Sequence, residues 1–227
     1  MPVHKLSPVQ RQVAKAVARS AAEAAACTVF ADLDAAPLQA ALAALERPRP
    51  TVTHLIAVAA ARALTAHPVL NAHLDGDALD MPGAVHLGLA MALPEGGLIA
   101  PVIRDAHAMD AVTLARAARD LAERAARGAL APADMRGATF TLSSAGRSPT
   151  PRYATPLIPL PQVAIMAITA IREAPVIRDG AVASGLVLPV SLTFDHRALN
   201  GAAANEFLDA LAGRLADPAD LLRPETP

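Results

Sequence analysis

Aromatic residues are scarce: 227 residues hold four phenylalanines, one tyrosine and no tryptophan. Stacking platforms for nucleic-acid bases cannot be built in number from so few rings. A formal net charge of −1 leaves no basic stripe to neutralise phosphates, so nucleic acid is not expected as a partner. Lysine is confined to Lys5 and Lys15, and the arginine and alanine excess reads as genomic composition rather than chemistry. The lone Cys27 lacks a second thiol for an intramolecular disulfide or a metal pair. That suits a reducing cytoplasm and a small buried hydrophobe. The longest apolar runs, such as Val163 to Ile171, fall far short of the ~20 residues that span a bilayer, and no basic-then-apolar leader opens the chain. The expectation is a soluble cytoplasmic protein with no membrane association.

What the chain has instead is apolar mass. Residues 1-227 suffice for one domain that buries roughly 70% of its unfolded surface. An apolar content of 53% also implies hydrophobic surface hidden against another subunit. The helical period predicts helices over Pro8–Ala26, Pro37–Leu45 and Thr53–Ala66, one from an Asp110 cap through Arg127, and one over Leu199–Leu215. Gly128 follows the fourth as a stop. β-branched and alternating stretches predict strands at Cys27–Asp34, Leu70–Leu74, Val85–Leu93, Leu98–Arg104, Ala138–Ser144, Gln162–Arg172, Pro175–Arg178 and Leu186–Phe194. The middle ones, with turns at Asp75-Gly76-Asp77 and Gly96-Gly97, read as a meander. Arg147–Pro161 reads as a proline-rich loop. The whole reads as one α+β domain, a two-layer sandwich of a mixed sheet with helices on one side.

Of seven histidines, His4 is terminal, and His54, His67, His73, His86 and His107 lack metal-ligand spacing, so no metal is expected. His196 differs. It closes a predicted strand between Asp195 and Arg197, just before Asn200-Gly201 opens a helix, and such corners sit at a rim that substrate can reach. A reference pKa of ~6.5 suits it to take a proton from a thiol near neutral pH. Ser143 and Ser144 end another predicted strand, where a hydroxyl can donate to an oxyanion or simply shape a turn. There is no G-x-S-x-G elbow and no phosphate loop.

The run Asp195-His196-Arg197-Ala198-Leu199-Asn200-Gly201-Ala202 resembles the Asp-His-Arg-x-x-Asp/Asn-Gly-Ala signature of the catalytic domains of dihydrolipoyl acyltransferases of 2-oxoacid dehydrogenase complexes, which have a chloramphenicol acetyltransferase-like fold. The likeness extends over roughly residues 5 to 222: Leu6-Ser7-Pro8-Val9-Gln10-Arg11 at the start, His67-Pro68-Val69-Leu70-Asn71-Ala72, Gly97-Leu98 through Pro101-Val102-Ile103-Arg104, and Gly137-Ala138-Thr139-Phe140-Thr141-Leu142-Ser143-Ser144. The resemblance implies acyl transfer between coenzyme A and the thiol of a dihydrolipoyl group. His196 would act as general base, Ser143 as oxyanion donor and Asn200 as a third member of the site, with Asp195, Arg197, Gly201 and Ser144 in support. It further implies a homotrimer in which the histidine of one subunit meets the serine of its neighbour, and partners in a lipoyl domain and the 2-oxoacid dehydrogenase components.

Some positions depart from the family pattern. Asn200 stands where aspartate is more usual, keeping a hydrogen-bonding cap but no charge to pair with an N-terminal arginine. The loop after Ser144 lacks the usual glycines and is one residue longer, and a Pro-His pair has become Ala25-Ala26. No lipoyl or peripheral subunit-binding domain is visible, so the lipoyl group is expected on another domain or chain. The charged, proline-containing end Arg223-Pro224-Glu225-Thr226-Pro227 is expected to obstruct docking between trimers. Two rival readings stay open: a coenzyme A-dependent acyltransferase for another small acceptor, and a non-catalytic core subunit. A scaffold needs no base and oxyanion donor on two facing strand ends.

Overall fold

The computed structural model describes residues 5–92, 97–146 and 148–224. Five α-helices and eleven strands follow in chain order: α1 Pro8–Glu23, β1 Ala26–Asp34, α2 Ala36–Ala43, α3 Val52–Ala66, β2 His73–Asp75, β3 Ala78–Asp80, β4 Leu87–Leu89, β5 Met91–Ala92, β6 Leu98–Ile99, β7 Val102–Ile103, α4 Ala111–Ala126, β8 Phe140–Ser144, β9 Ala164–Ile168, β10 Arg172–Arg178, β11 Ala181–Asp195 and α5 Gly201–Ala216. Local chemistry sets the helix starts. Ser7 and Gln10 form a reciprocal capping box ahead of Pro8, Asp110 accepts from Thr113 N–H at 2.6 Å, and Asn200 accepts from Ala203 N–H at 3.2 Å.

The main sheet has seven strands in the order β1-β11-β9-β8-β4-β7, with β10 also paired to β11. It is mixed: β4, β8 and β9 run parallel and the other pairings are antiparallel. Alternation along the central strands sends Leu142, Met166, Leu192 and Phe194 into the helix layer. There α3 is apolar on every side, as befits a helix sealed within the core. Its one charge, the guanidinium of buried Arg62, donates to the carbonyls of Met109, His107, Asp220 and Arg223. The opposite face, carrying Ser191 and Thr193, is covered by the 148–161 segment. Ala154 N–H donates to Ser191 Oγ, Thr169 Oγ1 donates to Arg152 O, and Tyr153 donates to Asp32. The predicted two-layer α+β sandwich holds, with this loop as cover on the side that the helices leave open.

The meander holds as two hairpins that do not join each other. β2 pairs with β3, and the predicted strand Val85–Leu93 pairs with Leu98–Arg104 in one antiparallel register. That register is broken near Ala90 into β4 with β7 and β5 with β6, while β4 also joins β8 of the main sheet. Leu98–Arg104 divides in the same way into β6 and β7. Leu70 and Asn71 belong to a 3-10 turn over Pro68–Asn71 rather than to a strand, because Asn71 is held sideways by Pro82 O, Ala84 O and Thr139 Oγ1. Of the Gly96-Gly97 turn, Gly96 lies outside the described residues, as do His4 and the last three residues; Gly97 has φ +113°. Strand β11 begins five residues earlier than expected, reaching back to Ala181. Its early part pairs with β10 across an Asp179-Gly180 turn with both φ values positive, the geometry of a tight hairpin.

At the outer side of the sheet lies β1, which among the described residues is bonded only to β11. Asp32 on this strand meets Arg152 and Arg172, and Asp34 meets Arg178, so arginines from the loop and from β10 fasten it laterally.

Candidate active site

Strand β11 ends by delivering its last residue, Asp195, into the protein and its successor, His196, to the surface. The backbone fixes this corner: His196 N–H donates to Ala25 O at 2.9 Å, while Ala198 and Leu199 N–H both reach Asp195 O. The imidazole is exposed and tilted against Phe194, ring centroids 5.7 Å apart.

Asp195 is 1% exposed and its carboxylate is fully engaged. Oδ1 accepts from Ala25 N–H (3.3 Å) and Arg197 N–H (3.1 Å), and Arg197 grips both oxygens through Nε and Nη2, the shortest contact being 2.6 Å. Burial pushes the carboxyl up, but the Arg197 side chain and the two backbone N–H groups outweigh it and hold the group below its ordinary value. The same hydrogen bond raises Arg197 above its own. Asp195 therefore acts on the corner, tying Ala25 and Arg197 together, and not on the imidazole ring. Asn200 caps α5 and Gly201 begins it. Arg11, at the opening of the chain, donates instead to Leu6 O.

The strand β8 carries Ser143 and Ser144, both half-buried and on opposite faces. Ser144 shares the face of Ile168 and Val190 and accepts from Gly146 N–H at 3.2 Å. Ser143 lies on the loop-covered face, in one row with Ala167, Ser191 and Phe30. Since β8 is parallel to β9 and β9 is antiparallel to β11, β8 and β11 run in opposite directions. Their C-terminal ends therefore lie at opposite ends of the sheet, not facing each other. Ser143 aligns with Ser191, two strands across and five residues short of His196, which sets the two Cα atoms roughly 19 Å apart at ~3.3 Å per residue and ~4.8 Å per strand. One chain does not bring this base and this hydroxyl together.

The remaining described histidines have structural partners. His73 Nε2 lies 2.9 Å from Ala138 O, and His86 and His107 accept from Asp105 and Val85 N–H. No cluster of potential metal ligands occurs among the described residues, and no described helix is long and apolar enough to cross a membrane. Sequence reading passed over one concavity, a cleft of about 350 Å³ at the start of α3 that includes Arg49, His54 and Arg119. No motif marks it, because its residues come from three separate segments.

A family model described as 2-oxoacid dehydrogenases acyltransferase (catalytic domain) matches residues 2–223. The chain is 33% identical over 226 residues to the dihydrolipoyllysine-residue acetyltransferase component of the pyruvate dehydrogenase complex of Bacillus subtilis (strain 168), covering 96% of this chain and 51% of that protein. It spans about half or less of the length of the curated relatives it matches. Among solved structures it is similar to the Azotobacter vinelandii dihydrolipoamide acetyltransferase, studied for the role of a serine, a histidine and an asparagine in its catalytic mechanism, at TM-score 0.92 and 32% identity, covering 98% of this chain and 94% of that one. A chloramphenicol acetyltransferase matches at TM-score 0.54 and 15% identity over 92% of this chain and 94% of that one, a likeness of fold alone.

Proposed function

The chain belongs to the family of 2-oxoacid dehydrogenase acyltransferase catalytic domains, and from that premise we propose that it moves an acyl group between coenzyme A and the thiol of a dihydrolipoyl group, as a cytoplasmic homotrimer. The lipoyl group arrives on another domain or chain, in company with 2-oxoacid dehydrogenase components. The chain itself is one catalytic unit that uses no metal.

His196 is the general base. A thiol with a pKa of ~8.5 is mostly protonated at neutral pH, so the attacking sulfur needs its proton removed as it reacts. The imidazole takes that proton, and the sulfur forms a bond to the thioester carbonyl carbon. Ser143 Oγ–H donates to the resulting oxyanion. Collapse expels the second sulfur, which recovers the proton from the imidazolium, so no acyl-enzyme is formed. Asp195 and Arg197 hold the corner, and Asn200 and Gly201 start the helix behind it.

The observation that carries this reading is the placement of Ser143 and His196 at opposite ends of one sheet. Two copies arranged head to tail bring the histidine end of one to the serine end of the next, and such contacts close into a ring. In the Azotobacter enzyme the asparagine follows the histidine by four positions, as Asn200 follows His196, and the serine precedes the histidine by fifty-two. That spacing matches Ser144 here. Ser143 is preferred because Ser144 turns toward the helix layer. The test is transfer from acetyl-CoA to dihydrolipoamide: His196→Ala lowers kcat by ~10²–10⁴-fold, and Ser143→Ala lowers it more than Ser144→Ala. Equal rates in wild type and H196A would overturn the assignment.

A further inference from the structure

The backbone of His196 is fixed on both sides. Its own N–H donates to Ala25 O at 2.9 Å, Asp195 before it is buried, and Arg197 N–H after it returns to Asp195 Oδ1 at 3.1 Å. The Cα–Cβ direction of the histidine is thereby set, and two torsions remain: χ1, with about three staggered wells, and χ2, which is broad. A base imidazole is ordinarily held in both by a hydrogen bond between a third group and the ring nitrogen that does not react. Here no other described residue hydrogen-bonds to either ring nitrogen. The adjacent carboxylate of Asp195 is fully engaged by Ala25 and Arg197.

What the ring meets is Phe194. The two centroids are 5.7 Å apart and the planes are inclined at 40°, within the geometry of aromatic pairs. Phe194 is fully buried in the core and is flanked across the sheet by Cys27 on β1 and Ala164 on β9. Close-packed side chains of this kind keep one rotamer. The pleat also favours the pairing, because a side chain two residues back along a strand lies on the same face. A contact through the ring constrains the plane of the imidazole and leaves both nitrogens open, one of them for the thiol.

We propose that Phe194 is a positioning residue for the acyl transfer: its buried ring holds the plane of the exposed His196 imidazole, the task that a hydrogen-bonding partner performs for other histidine bases. This role rests on His196 being the base. Loss of the ring frees the imidazole to visit other wells, whereas substrate binding is untouched, since Phe194 has no exposed surface to offer a substrate. Displacing a catalytic group by about 1 Å can cost ~10²-fold in rate, and a base that is in place for only part of the time loses a sizeable share of that.

The test compares two core variants of the full chain. Phe194→Leu lowers kcat for transfer from acetyl-CoA to dihydrolipoamide by ~10-fold or more and leaves both KM values within about twofold of wild type, the pattern of an interaction made only in the transition state. Removing a core ring also loosens the fold, so Phe207→Leu is the control: that ring is equally buried but faces His67 and Phe140. F207L shares the fall in Tm and keeps kcat. A second readout needs no turnover. The imidazole C–H resonances of His196, identified by their absence from the spectrum of H196A, move in F194L as the ring current of Phe194 disappears, and stay in place in F207L. A kcat for F194L within about twofold of wild type, equal losses in F194L and F207L, or resonances indifferent to Phe194 each overturn the positioning role. Wild-type transfer by H196A sinks the base assignment and the positioning role with it, whereas a failure of positioning alone leaves H196A inactive.

Discussion

Two inactive variants should restore activity when mixed. His196→Ala removes the base from one end of the sheet and Ser143→Ala removes the oxyanion donor from the other, roughly 19 Å away by strand spacing. If each site takes its histidine from one copy and its serine from the next, a site is whole where an S143A chain presents His196 to the Ser143 of an H196A chain. In an equal mixture unfolded and refolded together, neighbours assort at random, so about one quarter of the interfaces in each ring are intact. The parents are expected to lose ~10²-fold (S143A) and ~10²–10⁴-fold (H196A). A recovery to about a quarter of wild-type rate in acetyl-CoA to dihydrolipoamide transfer therefore stands far above either one. A mixture no faster than the mean of its parents refutes the shared site and confines the chemistry to a single chain.

Three further outcomes follow from the local geometry. Asp195→Asn breaks the grip of Arg197 on a carboxylate whose pKa is lowered in the folded state, so the wild type gains stability from it above the unfolded value of ~3.9 and loses that gain as pH falls through the folded one. Urea midpoints should therefore show D195N weaker at pH 7 and the gap narrowing below about pH 4; a gap independent of pH refutes the ion-pair account. Asn200→Ala removes the cap of α5 and costs about 1 kcal/mol, read as a lower Tm, whereas N200D retains the cap and the Tm. Gly88→Ala sets a Cβ 2.9 Å from Thr141 Oγ1, which is already committed to Gln162, and costs roughly 1–3 kcal/mol; an unchanged Tm contradicts that close approach.

Helices were legible because their signals are local. Ser7, Asp110 and Asn200 sit beside the N–H groups they cap, and the apolar face of α4 repeats within a few residues. The centre of the sheet was not legible, since β4 finds its parallel partner in β8, with Leu87 opposite Phe140 more than fifty residues on. Short apolar pieces such as Leu87–Leu89 say nothing about which neighbour they will have. His196 could be picked out from its corner and its motif, and Asn200 as a cap from its position before Gly201. The relation between His196 and Ser143 within one chain depends on strand direction, which neither segment encodes. His54 and Arg119, 65 positions apart, share a cleft only because α4 packs beside α3.

Among the described residues the sheet stops at β1, and a strand with one bare side offers its unpaired backbone to any extended segment, including that of another partly folded molecule. Asp32 and Asp34, clasped by Arg152, Arg172 and Arg178, stand beside that side as a row of closely spaced ions. An incoming strand would have to strip water from these groups without offering them better partners. Colloidal behaviour is thereby written into side chains remote from the catalytic corner. Its shielding is electrostatic, so it weakens as added salt shortens the reach of those charges.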